Sequence, residues 1–376
     1  MDKKKIIILA SYPQSLFNFR GKLIEALQVN NVEVHVAVPD LANNRHIKSQ
    51  LESNDVISHD LKLARTGLNP FLDLITFFQL IKLIKTLNPQ YVLAYTIKPV
   101  IYGMLAAKLL RVPNCFALIT GIGYGFTGKT EGTRGLLRKL LKKMYKLALR
   151  NTKSIFFQNP DDQKLFGTLK IINPSQRNII VNGSGVDINH FSVVPLPKNI
   201  SFLMIARLLG DKGVREYIHV AKRIKKTYPN IIFCLVGWID ESPDSVDQKE
   251  LDEWINVGAI NFLGKVGDIR PSIKNCSVYV LPSYREGTPR SVLEAMAMGR
   301  PIITSDAPGC RETVINNKNG VLVPVKSVDA LEEAMLDFIK EPDLCVSMGR
   351  QSRKIAEEKY DVHKVNAVML KEMGIT

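Results

Sequence analysis

The sequence has few cysteines, few aromatic residues and no long apolar run. Its five cysteines include no C-x-x-C pair, which excludes the usual zinc and redox motifs and indicates reduced, buried thiols of a cytosolic protein. No stretch reaches the roughly 18 apolar residues of a membrane-spanning helix, and the apolar run near the N-terminus is too short for a signal peptide. We therefore expect a chain that is neither secreted nor integral to a membrane.

Acidic residues are scarce in one half of the chain only. Residues 1–195 hold 26 Lys and Arg against 12 Asp and Glu, whereas residues 196–376 hold 25 against 24. Nearly all of the net charge of +15 therefore lies in the N-terminal half. A one-sided basic charge predicts an anionic partner for that half, either a nucleic acid or a phospholipid surface.

With 376 residues, 45% of them hydrophobic, the chain has an ordinary globular composition and the length of two domains. Short apolar runs rich in β-forming residues alternate with helical patterns. They lie at 5–10, 32–38, 91–95, 114–120, 154–158, 178–182, 201–206, 231–237, 278–282, 301–304 and 320–324. Continuous apolar strands separated by helices predict buried parallel sheets, the doubly wound α/β plan. The pattern restarts after the Pro-rich stretch 193–199, which we interpret as a linker.

The segment PSYREGTPRSVLEAMAMGRPII, which starts at Pro282, has the highest density of candidate site residues. It follows a strand, carries Glu286 in a loop and Glu294 in the helix opened by Pro289, and both carboxylates can point into one crevice. Backbone amides near Gly287, Thr288 and Arg290 can hold an anion such as a diphosphate. For either glutamate alone we favour an interpretation without a ligand, in which Glu294 is a favourable first-turn acid and Glu286 a solvated loop residue. For the whole segment we favour the binding role.

Two cations follow the strand at 201–206. Arg207 comes directly after it, and Lys212 precedes the next helix. A guanidinium fork and an ammonium five residues apart suit a diphosphate. The alternative is two surface cations, but positive charge is unfavourable beside a helix start, which favours the binding role.

Arg207 and Lys212, combined with Glu286-x7-Glu294, resemble the retaining glycosyltransferases of family 4, which have the GT-B fold. Segments at 95–113, 121–128 and 182–191 resemble bacterial members that build O-antigen, capsule and lipid-linked oligosaccharides. The resemblance implies two doubly wound Rossmann-like domains facing each other across a cleft. Residues 1–192 would form an acceptor- and membrane-facing domain, with a C-terminal helix at about 360–376 packing back on it, and residues 199–358 would bind the nucleotide sugar.

The resemblance also implies roles for individual residues. Arg207 and Lys212 would neutralise the leaving diphosphate, Glu286 would contact hydroxyls of the donor sugar, and Glu294 would contact the ribose. The other implied donor-binding residues lie in the Glu286 loop and in the loop GKVGDI beside the base: Gly287, Thr288, Pro289, Arg290, Val266 and Ile269. Transfer would occur on the front face with retention, and the leaving diphosphate oxygen would help to deprotonate the acceptor.

Three features modify this expectation. The first loop, SYPQSLFNFRG, lacks the Gly-Gly pair of many members. Tyr95-Thr96-Ile97-Lys98 stands where relatives have His-Thr-Pro-Lys, so Tyr95 and Lys98 are the acceptor-side candidates. The chain contains no Asp-x-Asp, the metal–diphosphate clamp of the other large glycosyltransferase fold, which favours catalysis without a metal or other cofactor.

A basic helix is predicted over 134–150, with seven cations and no acids. Its apolar residues between Leu136 and Ala148 fill an arc of about 140°, which we expect to pack on a sheet. The cations fill the opposite half, among them the acceptor or membrane candidates Arg134, Arg138, Lys142 and Lys146. The basic half is either merely solvated or faces an anionic membrane or a lipid diphosphate.

The leading hypothesis is a peripheral enzyme on the cytoplasmic face of the inner membrane. It would move a hexose or N-acetylhexosamine from a UDP-sugar to a polyprenyl-diphosphate-linked sugar in surface polysaccharide or glycan assembly. One alternative is a nucleotide-sugar epimerase of similar fold, which needs further acid and base residues. The other is a basic nucleic-acid-binding protein, which would have no use for the Glu286 and Glu294 crevice and shows no recognition motif.

Overall fold

The computed structural model of the chain describes residues 3–64, 69–122, 132–240, 242 and 244–376. The strands in these residues are β1 (Lys4–Leu9), β2 (Val32–Pro39), β3 (Ile57–Leu61), β4 (Tyr91–Tyr95), β5 (Asn114–Ile119), β6 (Ser154–Phe157), β7 (Asn178–Ile180), β8 (Ser201–Ile205), β9 (Ile232–Val236), β10 (Asn261–Phe262), β11 (Val278–Leu281), β12 (Ile302–Ser305) and β13 (Gly320–Val323). The chain divides into two compact units, Met1–Ser184 with His363–Thr376 and Gly185–Val362.

Helices connect most of these strands. They are α1 (Gln14–Val29), α2 (Arg45–Glu52), α3 (Pro70–Leu87), α4 (Met104–Leu109), α5 (Gly132–Leu149), α6 (Pro160–Thr168), α7 (Val214–Thr227), α8 (Gln248–Asn256), α9 (Arg270–Lys274), α10 (Arg290–Ala297), α11 (Val328–Lys340), α12 (Asp343–Ile355) and α13 (Val362–Met373). A π-helical turn, Pro99–Gly103, leads directly into α4.

The first unit is built on a parallel sheet of order β3-β2-β1-β4-β5-β6-β7. One face of the sheet shares a core with α3, α4 and α5, and the other shares a core with α1, α2 and α13. The strand order reverses between β1 and β4. In such sheets ligands bind outside the carboxyl ends of the strands at this reversal, the topological switch point.

The second unit repeats this plan with a parallel sheet of order β10-β9-β8-β11-β12-β13. Its switch point lies between β8 and β11. Most buried apolar residues of the unit form one cluster that includes α7, α10 and α11. Two parallel α/β sheets confirm the predicted fold class.

The sequence analysis did not predict two of the strands, and both lie at an edge of their sheet. Within the described residues, β3 reads ISHDL and pairs only with β2, while β10 has two residues and pairs only with β9. An edge strand has one neighbour and a more exposed surface, so it does not need the continuous apolar run that identifies a central strand.

The Pro-rich stretch 193–199 lies within the second unit, not between the units. The fully buried guanidinium of Arg300 holds it there by donating hydrogen bonds to the carbonyls of Val194 and Pro195, each at 3.0 Å. The same guanidinium donates to the carbonyl of Ile273 at 3.0 Å and to that of Lys274 at 3.2 Å. One side chain therefore joins this stretch to the end of α9.

Helix α5 buries a different face from the one that its apolar pattern predicts. Tyr145, Ala148 and Leu149 are buried, and the Tyr145 ring packs edge-on against Phe166 with centroids 5.4 Å apart. Three leucines that the pattern assigns to the core are exposed: Leu136, Leu140 and Leu147. The predicted arc is wrong by about 100°, one residue step around the helix. The aromatic pair explains the rotation, because a buried tyrosine ring removes more apolar surface from water than a leucine does.

We predict that Arg300→Met destabilises the protein by about 3 kcal/mol or more, because the buried carbonyl of Ile273 and the partly buried carbonyls of Val194, Pro195 and Lys274 lose a charged donor. Arg350→Met, at an exposed position of α12, is the matched control and should change the free energy of unfolding by less than about 0.5 kcal/mol. Denaturant unfolding of both variants measures the difference, and equal stabilities would contradict this role of Arg300.

Candidate functional site

The predicted catalytic residues meet at the switch point of the second unit. Arg207 and Lys212 lie in the loop that follows β8, and Glu286 lies in the loop that follows β11. Strands β8 and β11 are neighbours, so their carboxyl ends bring the two loops together. This is the position at which doubly wound sheets bind their ligands.

Lys212 and Glu286 form an ion pair, with Nζ 2.6 Å from Oε1. Both side chains are largely buried, at 14% and 17% exposure. Burial lowers the pKa of Lys212, but the carboxylates of Glu286 and Asp211 outweigh it, so that its pKa stands above the ordinary value. The ammonium is therefore charged at neutral pH, and the pair connects a candidate phosphate-binding cation to a candidate sugar-binding carboxylate.

Arg207 also has a carboxylate partner, which the sequence analysis missed. Its Nη1 lies 3.0 Å from Oδ2 of Asp240, in the loop after β9. Asp240 is held in place by the amide of Ser242, which donates to its Oδ1 at 3.0 Å. Its position could have indicated this role, because Asp240 follows β9, the strand adjacent to β8. Arg207 keeps 35% of its side chain exposed, so an anion can reach it.

Backbone contacts hold the Glu286 loop against its neighbours. The amide of Glu286 donates to the carbonyl of Pro308 at 2.9 Å, and the amide of Tyr284 donates to that of Asp211 at 2.8 Å. Gly309 has φ +81°, and a Cβ there would lie 2.2 Å from the carbonyl oxygen of Glu286. Only glycine permits this approach, so Gly309 helps to position Glu286.

Gly213 likewise permits a close backbone approach, on the other side of the site. Its φ is +73°, and a Cβ would lie 2.3 Å from the carbonyl oxygen of Pro282, directly after β11. Gly213 therefore allows the loop that carries Lys212 to lie against the start of the Glu286 loop. The sequence analysis assigned no positioning role to either glycine.

Helix α10 begins directly after the Glu286 loop, at Arg290, with Pro289 as its N-cap residue. Glu294 is buried, and its Oε1 accepts a hydrogen bond from Nε of Arg290 at 2.7 Å. Burial raises the pKa of Glu294, and Arg290 opposes this effect. Thr288 is also buried. The segment 287–294 thus directly follows Glu286, and Glu294 pairs with a cation of its own helix.

The predicted base-side residues lie after β10. Val266 and Ile269 are half-buried and pack against the core of the second unit. Nearby, Nζ of Lys265 lies 5.1 Å from the ring centroid of Trp238, a cation–π contact. Trp238 is partly exposed and follows β9, so this contact adds an aromatic side chain that the sequence analysis did not name.

The acceptor-side candidates lie at the switch point of the first unit, where β4 ends. Tyr95 is buried, its hydroxyl lies 2.8 Å from that of Ser15, and burial raises its pKa to about 12. Nζ of Lys98 lies 2.7 Å from Oδ1 of Asp73. Between them Thr96 has φ +69°, an unusual conformation for a β-branched residue, and its hydroxyl donates to that of Ser11 at 2.9 Å.

The basic candidates of α5 are divided between two environments. Arg138 and Lys142 are half-buried, and Lys146 is exposed. The side chain of Arg134 and most of the glycine-containing segment 121–128 lie outside the described residues. The exposed side of α5 therefore carries Lys146 together with the three exposed leucines.

The described residues contain neither a metal-binding cluster nor a membrane span. No group of three His, Cys, Asp or Glu side chains there is arranged to hold a metal ion. None of the helices in that part of the chain is both long and apolar enough to cross a lipid bilayer.

Two family models match the chain. "Glycosyl transferases group 1" matches residues 186–355, and "Glycosyl transferase 4-like" matches residues 5–159. The chain is 30% identical over 372 residues, 95% of each protein, to N,N'-diacetylbacillosaminyl-diphospho-undecaprenol alpha-1,3-N-acetylgalactosaminyltransferase of Campylobacter jejuni. The chain belongs to glycosyltransferase family 4. The prediction of a glycosyltransferase is confirmed.

A second relative and two solved structures are also similar to the chain. UDP-Gal:alpha-D-GlcNAc-diphosphoundecaprenol alpha-1,3-galactosyltransferase of Escherichia coli is 27% identical over 314 residues, 79% of this chain and 78% of that protein. Sucrose-phosphate synthase of Thermosynechococcus elongatus has a TM-score of 0.80 at 17% identity, over 98% of both chains. HepE of Anabaena, solved with UDP, has a TM-score of 0.79 at 18% identity, over 99% of this chain and 100% of that one. The structures show the GT-B fold.

We predict that Gly309→Ala in this glycosyltransferase lowers the transfer rate about 10²-fold, because the new Cβ displaces the backbone of Glu286. Gly258→Ala is the matched control, since Gly258 has φ +65° but no atom within 4 Å of the place that a Cβ would take. The control should lose about 1 kcal/mol of stability through backbone strain and keep its rate. Equal rates in the two variants, measured beside their unfolding midpoints, would contradict the positioning role.

Proposed function

We propose that this glycosyltransferase moves a hexose or N-acetylhexosamine from a UDP-sugar to a polyprenyl-diphosphate-linked sugar, with retention and without a metal. The observation that carries the proposal is the Lys212–Glu286 ion pair beside Arg207 at the switch point of the second unit. The names of the Campylobacter jejuni and Escherichia coli relatives describe transfer to undecaprenyl-diphosphate-linked sugars, and the second names UDP-galactose. They support both the donor nucleotide and the class of acceptor.

The two cations act on the leaving group. As the bond between the sugar and the diphosphate breaks, negative charge develops on the diphosphate oxygen, and Arg207 and Lys212 stabilise it. Such preorganised charge is commonly the largest contribution to catalysis. The diphosphate replaces the carboxylates of Asp240 and Glu286 as the partner of these cations, which are already oriented by the ion pairs.

Glu286 and Glu294 hold the two sugar rings of the donor. Once the diphosphate takes its place beside Lys212, the Glu286 carboxylate accepts hydrogen bonds from donor-sugar hydroxyls, while Glu294 binds the ribose. Gly287, Thr288, Pro289 and Arg290 complete the donor site, and Val266 and Ile269 lie against the base. The departing diphosphate oxygen takes the proton of the acceptor hydroxyl as the new glycosidic bond forms on the same face.

In this proposal the units have different tasks. The second unit binds the donor, and the first, with α13, faces the acceptor and the cytoplasmic surface of the inner membrane. Its excess of positive charge and the exposed Lys146 of α5 support an anionic partner. Each basic residue near an anionic membrane surface favours binding to it by about 1 kcal/mol. Lys98 and Tyr95 stand at the acceptor side.

The test is a screen of UDP- and GDP-sugars with a polyprenyl-diphosphate-linked N-acetylhexosamine, run with and without EDTA. We expect transfer from a UDP-sugar that EDTA does not inhibit, and anomeric retention in the product by NMR. Glu286→Gln, Arg207→Met and Lys212→Met should each lower the rate by about 10²–10³.

Lys222→Met and Glu253→Gln are the matched controls. Their ion pair has the same length within 0.1 Å, 2.7 against 2.6 Å, but joins α7 to α8 away from the switch point. These variants should keep their rates. Transfer with inversion, inhibition by EDTA, or release of an epimerised sugar without an acceptor would each contradict the proposal.

A further inference from the structure

Helix α3 carries an exposed apolar stripe that the sequence analysis did not single out. Phe71, Leu74, Ile75 and Phe78 are exposed by 79%, 53%, 43% and 59%. Their spacing of three and four residues places them along one side of the helix. Asp73, Thr76, Leu80 and Ile84 form the opposite, buried side. The stripe is therefore not needed for the core of the first unit.

Two lysines extend this exposed side of α3 towards the C-terminal end of the helix. Lys82 and Lys85 are exposed and fall on the same side of the helix, one and two turns beyond Phe78. The acid of α3, Asp73, is buried and paired with Lys98 at 2.7 Å. The exposed side of α3 is thus apolar at its start and cationic at its end.

Helix α5 lies on the same face of the sheet as α3. Both helices contact the turn Pro99–Gly103 and α4, which exposes Leu109. The exposed side of α5 combines three leucines with lysines: Leu136, Leu140, Leu147, Lys139, Lys143 and Lys146. The two helices therefore present the same pattern, apolar side chains beside cations, from one face of one unit.

We propose that the Phe71–Phe78 stripe of α3 inserts into an anionic lipid bilayer and, with the exposed side of α5, docks the first unit on the membrane. Apolar side chains beside lysines are the composition of helices that lie in a membrane interface, where the ring and leucine side chains enter the acyl region and the ammonium groups remain at the phosphates. The inference rests on the proposed function, because a polyprenyl-linked acceptor has to be reached in the bilayer.

Charge complementarity decides between a bilayer and a second copy of the chain. A two-fold contact through this face would bring together two copies of the same cation-rich surface, and the repulsion between their like charges opposes association. Anionic lipid neutralises them. The bilayer is therefore the occupant that satisfies the apolar stripe and the cations together.

The experiment is sedimentation of the full chain with phosphatidylcholine vesicles that contain about one third phosphatidylglycerol. The variant F71Q/F78Q should lower the vesicle affinity at least about tenfold, because two large apolar side chains no longer enter the bilayer. K82Q/K85Q should weaken binding to these vesicles but not to pure phosphatidylcholine. The matched control is V29Q/V368Q, two exposed apolar positions on α1 and α13 against the opposite face of the sheet, which should bind as the wild type does.

The outcomes separate this inference from the proposed function. Wild-type vesicle affinity in a folded F71Q/F78Q, or no vesicle binding by the wild type, would overturn the docking surface. A wild-type dimer that F71Q/F78Q converts to a monomer in sedimentation velocity would overturn it in favour of a second copy. Transfer to a short-chain, water-soluble acceptor should stay unchanged in F71Q/F78Q, so that the proposed function is measured independently of the membrane.

Discussion

The ion pair between Lys212 and Glu286 is the interaction on which the site of the second unit depends. It joins the loops after β8 and β11, so it exists only because these neighbouring parallel strands end side by side. A charged pair that is mostly buried needs further support from its surroundings. The hydrogen bond from the amide of Tyr284 to the carbonyl of Asp211 and the close approach at Gly213 keep these two loops in contact, and Gly309 supports the Glu286 loop from the loop after β12. In the proposed function, the diphosphate would therefore meet a cation that is already charged and oriented.

Much of this site follows from the order of residues along the chain. Arg207, Lys212 and Glu286 each come shortly after an apolar strand, and parallel strands place such residues at one edge of a sheet. Asp240 was missed because its partnership with Arg207 depends on how the loop after β9 folds back, which no local pattern encodes. Gly309 was missed for a related reason, since its need for glycine arises from the backbone of Glu286, twenty-three positions earlier.

The fold was predictable to a similar extent, with errors at the edges and on one helix. Central strands are buried on both faces and are recognised by continuous apolar residues, whereas β3 and β10 are edge strands and lack this signal. Helix α5 has enough apolar residues for two alternative buried faces. The choice between them is made by contact of Tyr145 with Phe166, a residue of α6 that follows after an intervening strand. Because α5 buries the face with Tyr145, its leucines are exposed beside lysines, and this exposed surface has the composition that we propose for lipid binding.

The most direct test of the account is a calorimetric titration of UDP into the wild type, Lys212→Met and Glu286→Gln. UDP lacks the transferred sugar, so Glu286 has no donor-sugar hydroxyls to contact. Its carboxylate then acts only as a competitor of the diphosphate for Lys212. We expect Lys212→Met to weaken UDP binding about tenfold or more, and Glu286→Gln to strengthen it several-fold, since the ammonium is then released to the diphosphate. UDP affinities that are equal in all three proteins would contradict the account.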